Sequence, residues 1–390
     1  MSDTLDEASL EGDLTSILSH LIALPSASPP GDTRKICAYA ADRLRRAGYE
    51  TLLPMAAEPI ANVVARSGTA KPCLAFNVHA DTHTVTNPGN WETDPLRAEI
   101  RDGRVYGLGA ANCKASMAVH LWLAEAAAGR GGPKKGELVF TFAGDQENLG
   151  PGGTCHLHQS GLVKPDILVV GATTGNQLIT AERGVLWVTI TALGEAAHAG
   201  DPDSGDNAIE RMMRLLAALQ RQVFDHLGER SDGDIKSTVN IGTIQGGRNL
   251  NVVPGECAVE IDRRLVPGET ADEAFEEIQR ALDAAGEPEA SFTLERLHGT
   301  NGFKGAGDGP GVGAFRAAIE ARTGARARFL TPVGACDGRY FADDGIEIIN
   351  VGPGTVAEGH AANESVSVMQ LVDAAVIHFD VVKRLLGFKN

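Results

Sequence analysis

The sequence predicts an α/β protein in which a doubly wound mixed sheet is interrupted by a smaller, inserted α+β domain. Three observations lead to this fold class. The chain has 390 residues, more than one ordinary core accommodates. Short apolar runs at 74–78, 138–142, 167–170 and 348–351 alternate with stretches of helical spacing. From about Gly184 the order of the expected elements changes.

The first domain is expected to begin with helices at 12–23 and 33–48, with Gly48 as a natural stop for the second. The four apolar runs are expected to be buried strands. Each is followed at once by polar, Gly-rich or His-containing sequence. Because open α/β sheets bind ligands beyond the carboxyl ends of their strands, these segments are where we expect a site.

The inserted domain is expected to have a β-α-β-β-α-β order of ferredoxin-like type. Its predicted elements are strands at 187–194, 237–244, 256–265 and 291–297, and helices at 207–227 and 271–284. The loop 298–311, which holds six glycines, would return the chain to the first domain. The predicted division is therefore a catalytic domain over 1–183 and 298–390 and a lid domain over 184–297.

Composition limits the classes of function. Hydrophobic residues make up 43% and charged residues 22% of the chain, as in ordinary globular proteins. The net charge of −16 argues against a nucleic-acid partner, because phosphate binding needs clustered Lys and Arg. No apolar run approaches the roughly 20 residues of a membrane helix, and the acidic start differs from a signal peptide. With six scattered cysteines and no CxxC pair, we expect a cytoplasmic protein with reduced thiols.

Two candidate segments lie in the first half of the chain. His79 and Asp81 are two apart, so both face one side of a strand end. This spacing suits a metal-binding imidazole oriented by a carboxylate, and a surface His beside a turn Asp is an equal alternative. Asn112 precedes a helix expected from about Lys114, where a simple N-cap role is the alternative to chemistry.

Two further segments follow predicted strands. Asp145, Gln146 and Glu147 form an acidic loop, and His360 stands with Glu364 after the last run. Each segment alone is a weak signal, and a lone His is more often structural than a ligand. Their shared position after successive strands predicts one site.

Taken together, these segments resemble a known family over nearly the whole chain. NVHADTHTV resembles GHxDVVP, YGLGAANCKAS resembles YGRGxxDMKGG, and AGDQENLGPGGT resembles xxDEExGxxGx. AHAGDPDSGDNAI and GGRNLNVVPGECAVEIDRRL resemble the lid motifs AHxxxPxxGxNAI and GGxxxNVVPxxCxxxxDxR. GACDGRYF and NVGPGTVAEGHAANESV resemble TSDGRF and GPGxxxxAHxxNExV. These are motifs of the M20 family of dizinc peptidases and amidohydrolases, which includes acetylornithine deacetylase, succinyl-diaminopimelate desuccinylase, aminoacylase-1 and glutamate carboxypeptidase.

The resemblance implies five metal ligands around two zinc ions, and this chain departs from that set. His79, Glu147 and His360 match ligand positions. Asn112 replaces the bridging Asp, and Ala172 replaces the acidic ligand of the segment VVGATTGN.

Gln146 replaces the general-base Glu, and an amide cannot accept a proton from water. In all, three negative charges are lost. Two divalent cations about 3.5–4 Å apart would therefore be poorly neutralised.

The expected cofactor is a single divalent ion at most, with zinc the expected metal. Glu147, His360 and the oxygen of Asn112 form the best single set, which His79 joins only if the ion shifts toward it. Three ligands of the His₂Glu type are also found in one-metal hydrolytic sites. His83 is a substitute ligand or, more simply, a plain polar side chain.

The resemblance also implies a homodimer formed through the lid. His198 matches the lid His that polarises the scissile carbonyl in the partner's site. Asn251 and Arg264 match positions near the substrate carboxylate, where a guanidinium suits bidentate binding. For Arg264, a lid salt bridge with Asp262 is the alternative.

Three hypotheses follow from these residues. The first is a metal-dependent amidohydrolase that removes the acyl group of an N-acyl amino acid or cleaves a small peptide, with Asp81, Gln146 and His198 as catalytic residues. The second is a non-hydrolytic amino-acid-binding pseudoenzyme without metal. The third is an isomerisation or elimination on the same scaffold. Cys113 and Cys336 are either new nucleophiles or, more commonly for buried thiols, inert.

Overall fold

The computed structural model describes residues 6–85, 87–332 and 334–390, which form two compact units. The first unit contains the described residues up to Thr180 together with Gly305–Leu330 and Cys336–Asn390. The second contains Ala181–Lys304 and Thr331–Ala335. The predicted boundaries at 183/184 and 297/298 lie near these divisions and, as domain boundaries, stay a prediction.

The first unit is built on a six-stranded mixed sheet. In spatial order its strands are Glu50–Leu52, Val63–Gly68, Glu137–Ala143, Cys73–His79, Ile167–Gly171 and Glu347–Val351. The last four strands are parallel, and the first two join them in antiparallel pairs. The predicted fold class is confirmed. The carboxyl ends of the four parallel strands share one edge, which brings the segments after them together.

Helices cover both faces of this sheet. Their bounds are Glu7–Ile22, Arg34–Arg46, Lys114–Gly129, Thr154–Gln159, Pro310–Thr323 and Val368–Leu385. The two helices expected at the start of the chain are confirmed, although the first begins earlier, at Glu7. Gly48 has a φ of +91°, the left-handed geometry that glycine adopts without strain after a helix. Within the described part of the chain, no helix has both the length and the apolar character needed to cross a bilayer.

Short strands complete the first unit. Ala27–Ser28 pairs with Thr82–His83, and Met55–Ala57 pairs with Ile60–Ala61. A small three-stranded sheet is formed by Glu99–Arg101, Arg104–Tyr106 and Ser365–Ser367.

The second unit is a four-stranded antiparallel sheet with helices packed against it. In spatial order the strands are Thr238–Gly246, Glu256–Leu265, Gly184–Leu193 and Phe292–Thr300. The helices Ala208–Leu219 and Ala271–Asp283 begin at the side-chain caps Asn207 and Thr270. The predicted β-α-β-β-α-β order is confirmed.

Two details of the second unit were wrongly predicted. The helix expected over 207–227 is divided by a π-helical turn at Gln220–Phe224 and ends with Asp225–Leu227. The last strand runs on to Thr300, and the expected loop after it contains the short strand Phe303–Lys304, paired with Ala181–Glu182. A second short pair joins Ser231–Asp232 to Ile235–Lys236.

Two fully buried histidines lie in the core of the first unit. The rings of His120 and His378 are 5.5 Å apart, and each lies close to Phe76. Burial lowers the pKa of His378 to about 3 and the pKa of His120 well below its usual value. Both imidazoles are therefore neutral in the folded protein at neutral pH.

This burial predicts a loss of stability in acid. Below about pH 6.5 the His378 imidazole binds a proton in the unfolded chain but stays neutral in the folded protein. The free energy of unfolding therefore falls as the pH drops toward about 3. We expect His378→Leu to remove about 1 kcal/mol of the decrease in unfolding free energy between pH 7.5 and pH 5.5. Urea denaturation at both pH values measures the unfolding free energy, and His226→Leu, at an exposed position, is the matched control. An unchanged pH dependence in His378→Leu would contradict the prediction.

Candidate active site

His79 and Asp81 lie at the end of the central strand Cys73–His79, and both are buried. The His79 Nδ1 atom is 2.9 Å from the backbone oxygen of Asp81 and 3.5 Å from its carboxylate oxygen Oδ1. The other carboxylate oxygen of Asp81 accepts a 3.0 Å hydrogen bond from the Glu147 backbone N–H. Asp81 thus orients His79 through its own backbone and ties this strand end to the Glu147 loop.

The side chain of Asn112 contacts two other predicted site residues. Its Nδ2 atom lies 2.8 Å from Glu147 Oε1 and 2.8 Å from His360 Nε2, and those two atoms are 3.3 Å apart. The helix begins at Lys114 with Cys113 in the N-cap position, and no side chain caps it. The alternative N-cap role of Asn112 is therefore wrong, because its amide is engaged by groups distant in sequence.

Glu364 holds the backbone of the loop that carries Asn112. Its buried carboxylate accepts hydrogen bonds from the backbone N–H groups of Gly109 at 2.8 Å, Ala111 at 3.0 Å and Asn112 at 2.7 Å. Gly109 has a φ of +78°, and a Cβ there would meet Thr82 Cγ2 at 2.7 Å, so only glycine fits this turn. The sequence places Glu364 only near His360 after the last strand, and this anchoring role cannot be read from motif spacing.

Electrostatics favour an ionised Glu147. Burial alone would raise the pKa of its carboxyl, but the hydrogen bond to His360 and the nearby imidazoles of His79 and His83 lower that pKa overall. The Glu147 side chain is 9% exposed and that of His360 57%, so the cluster opens to solvent on the His360 side. Burial also lowers the pKa of Lys114, the first residue of the helix Lys114–Gly129, to about 7. The Lys114 Nζ donates a hydrogen bond to the Leu24 carbonyl at 2.9 Å.

The remaining predicted ligand positions provide fewer donor atoms for a metal ion. Ala172 is buried directly after the strand Ile167–Gly171 and has no side-chain donor atom. The His83 ring centroid lies 4.6 Å from that of His360, so His83 is adjacent to the cluster, and its role as a substitute ligand stays a prediction. Across 6–85, 87–332 and 334–390, no group of three or more His, Cys, Asp or Glu side chains is placed to hold a metal ion.

The lid candidates lie in the second unit. His198 is exposed, its Nδ1 accepts a 3.0 Å hydrogen bond from the Gly200 N–H, and the neighbouring Ala199 N–H donates to the Asn251 carbonyl at 3.0 Å. His198 and Asn251 are thus on adjoining backbone segments. Arg264 Nη2 donates to Asp262 Oδ2 at 2.8 Å, so the ion pair weighed as its alternative is present.

The two cysteines at motif positions differ in their surroundings. Cys113 is 2% exposed, and its Sγ lies 3.0 Å from Asn112 Oδ1. Cys336 is half-buried, and its carbonyl accepts a 2.7 Å hydrogen bond from Arg339. Next to it, buried Asp337 accepts a 2.6 Å hydrogen bond from the Thr154 hydroxyl, which lies 183 residues away in the sequence.

Comparisons with known proteins agree with this fold. The model of the peptidase dimerisation domain matches residues 180–290. A succinyl-diaminopimelate desuccinylase of Methylorubrum extorquens is 31% identical over 337 residues, covering 83% of this chain and 86% of the relative. The desuccinylase of Halorhodospira halophila is 29% identical over 377 residues, covering 94% and 97%.

Among solved structures, an M20 metallo-carboxypeptidase from Sulfolobus solfataricus superposes with a TM-score of 0.81 at 17% identity, covering 98% of this chain and all of the other. The chain belongs to the M20 family of metal-dependent peptidases and amidohydrolases. Its homologues are enzymes that hydrolyse amide bonds.

The Glu364 anchor gives a prediction about stability. Glu364→Gln keeps the shape but turns an amide N–H toward backbone N–H donors, so we expect a loss of about 1.5–3 kcal/mol of unfolding free energy. Urea denaturation measures this loss, and exposed Glu11→Gln on the first helix is the matched control. Faster hydrogen exchange at Gly109 and Ala111 should accompany it. Equal stability of the two variants would show that Glu364 does not anchor the loop.

Proposed function

We propose that the chain is an amidohydrolase that removes the acyl group of an N-acyl amino acid or cleaves a small peptide, with at most one divalent ion per chain. The observation that carries this proposal is the contact of Glu147 and His360 at the strand-end cluster. Desuccinylase relatives that align with nearly the whole chain support the choice of substrate class.

The residues do not fit two ions. Asn112 has one neutral amide oxygen where a bridging ligand needs two anionic ones, and Ala172 has no donor. They fit one ion better, since the Glu147 carboxylate and the His360 imidazole, both common metal ligands, approach each other to 3.3 Å between Oε1 and Nε2. Asn112 contributes an oxygen only if its amide turns over. A bound ion supplies a polarised carbonyl and a more acidic water molecule.

Other residues would bind and orient the substrate. Gln146 positions water without deprotonating it, because an amide is not a base. Asp81 keeps His79 oriented toward the cluster. We assign His198 to the oxyanion and Asn251 and Arg264 to the substrate carboxylate, which Arg264 would bind in exchange for Asp262.

A second function has its own support. Binding of an amino-acid-like ligand without hydrolysis is favoured by the direction of the Asn112 amide, whose nitrogen faces the two groups that would hold an ion. Both functions use the same pocket, and both are compatible with the cytoplasmic location that the sequence predicts.

Restoring the acidic residues that the family has at positions 112, 146 and 172 should restore amide hydrolysis. We expect the triple variant Asn112→Asp, Gln146→Glu and Ala172→Glu to raise the metal content from at most one ion toward two. The new base should accelerate deacylation by about 100-fold or more. The three changes belong together, because residues that act as a unit are non-additive.

Elemental analysis counts the ions, and a panel of N-acetyl and N-succinyl amino acids measures turnover in the single and triple variants. A triple variant that holds two ions yet hydrolyses nothing would argue against the hydrolase proposal.

We also propose that the protein forms a homodimer through the lid, as the match to the dimerisation model suggests. Thr238–Gly246 is an edge strand, and its Ile241 and Ile244 side chains are 42% and 57% exposed. Exposed apolar side chains on an unpaired strand edge favour pairing with another chain.

The dimer proposal predicts that Ile244→Asp yields monomers at micromolar concentration, because a charge is costly to bury in an apolar contact. Met369→Asp, 70% exposed on the helix Val368–Leu385 of the first unit, is the matched control and should stay dimeric. Light scattering coupled to size exclusion measures the mass. A natural protein that is monomeric under the same conditions would remove the partner's His198 from the site.

A further inference from the structure

Three helices of the first unit border an open cavity that is remote from the candidate active site. The cavity has a volume of about 750 Å³ and is lined mainly by residues of the helices Glu7–Ile22, Arg34–Arg46 and Lys114–Gly129. Small ligands bind in cavities of roughly 300–1,000 Å³. The third helix begins two residues after Asn112 and reaches the cavity at its other end, Gly129, so about 20 Å of helix separates the two places.

Two stacked rings form one wall of this cavity. His20 of the first helix lies against Tyr39 of the second, with ring centroids 4.2 Å apart and ring planes only 19° from parallel. Tyr39 is half-buried, whereas His20 is exposed. A further flat ring packs favourably on such a pair, because offset aromatic rings attract one another. The wall therefore favours a ligand that contains a planar ring.

Arg43 and Glu125 form the floor of the cavity and hold Tyr39 in place. Arg43 Nε and Nη2 donate to the two carboxylate oxygens of Glu125 at 2.8 and 2.7 Å, and Nη1 donates to the Tyr39 hydroxyl at 3.0 Å. Two parallel bonds to a carboxylate fix the plane of a guanidinium. The charges of this pair offset each other, so the attraction for a charged ligand depends on the residues around it.

Arg46 provides a positive charge that a ligand can reach. It lines the cavity one turn after Arg43, and its side chain is 69% exposed. Its ion-pair partner Asp42 is 62% exposed on the same helix, and exposed ion pairs contribute little, so another anion can replace Asp42. With Arg45, three arginines stand in the last turn of this helix and outnumber their acidic partners Asp42 and Glu125. In a chain with a net charge of −16, this is a local attraction for an anion.

We propose that this cavity binds a small aromatic anion, which is a planar ring joined to a carboxylate or a phosphate group. The ring stacks on His20, the outer layer of the wall, and the acidic group accepts two hydrogen bonds from Arg46, which releases Asp42 to water. Arg43 acts as a positioning residue, because it holds Tyr39 behind His20. The inference goes beyond the proposed function, since the cavity shares no residue with the candidate active site.

Isothermal titration of the full chain with five probes tests the proposal. Adenosine monophosphate and benzoate each contain a ring and an anion, adenosine and benzamide lack the anion, and ribose 5-phosphate lacks the ring. We expect adenosine monophosphate or benzoate to bind with a Kd of about 0.1–1 mM, and the incomplete probes to bind at least about tenfold more weakly. The tighter of the two complete probes identifies phosphate or carboxylate as the preferred anion.

Single variants locate the binding. His20→Ala removes the outer ring and Arg46→Gln removes the cation, and both positions are exposed, so both variants should fold. Each should bind the tighter complete probe about tenfold more weakly than the natural protein. Arg34→Gln, an exposed arginine at the start of the same helix, is the matched control and should leave the Kd unchanged. Arg264→Gln should also leave it unchanged, because Arg264 belongs to the pocket of the proposed function.

Four results would overturn the proposal. The first is that neither complete probe shows saturable binding to the natural protein at concentrations up to about 10 mM. The second is that an incomplete probe binds as tightly as the complete ones. The third is that His20→Ala and Arg46→Gln bind as tightly as the natural protein. The fourth is a loss of binding in Arg264→Gln, which would assign the ligand to the other pocket.

Discussion

The carboxylate of Glu364 fixes the backbone on which the candidate site is arranged. Three donors from one loop, the N–H groups of Gly109, Ala111 and Asn112, converge on its two buried oxygens. Hydrogen bonds to a buried charge are worth more than neutral ones, and losing the acceptor would leave three donors unpaired. The anchor also sets where the following helix starts and therefore where Cys113 and Lys114 stand. The contacts of Asn112 with Glu147 and His360 depend on this one ionic group.

Much of the fold followed from local sequence. A strand buried on both faces is a continuous apolar run, so 74–78 and 167–170 located the parallel strands at which the site lies. The π-helical turn at Gln220–Phe224 could not be found this way, because one inserted residue scarcely changes the apolar spacing of a long helix. Helix ends were likewise displaced by a few residues.

The site was less accessible to sequence reasoning. Motif spacing brought His79, Asp81, Glu147 and His360 to one sheet edge, as the strand order requires. The behaviour of Asn112 was not predictable, because a local preference for helix caps competed with partners 35 and 248 residues away. The partner of the Cys113 thiol depended on a side-chain direction within the same cluster, about which spacing says nothing.

The amide at position 112 also joins distant parts of the chain. Its Nδ2 atom contacts Glu147 and His360, which lie 35 and 248 residues away in the sequence. These contacts are made by atoms of the polypeptide alone, so they form in the same step as the fold itself. A change at position 112 would therefore be felt in two segments that the sequence places far apart.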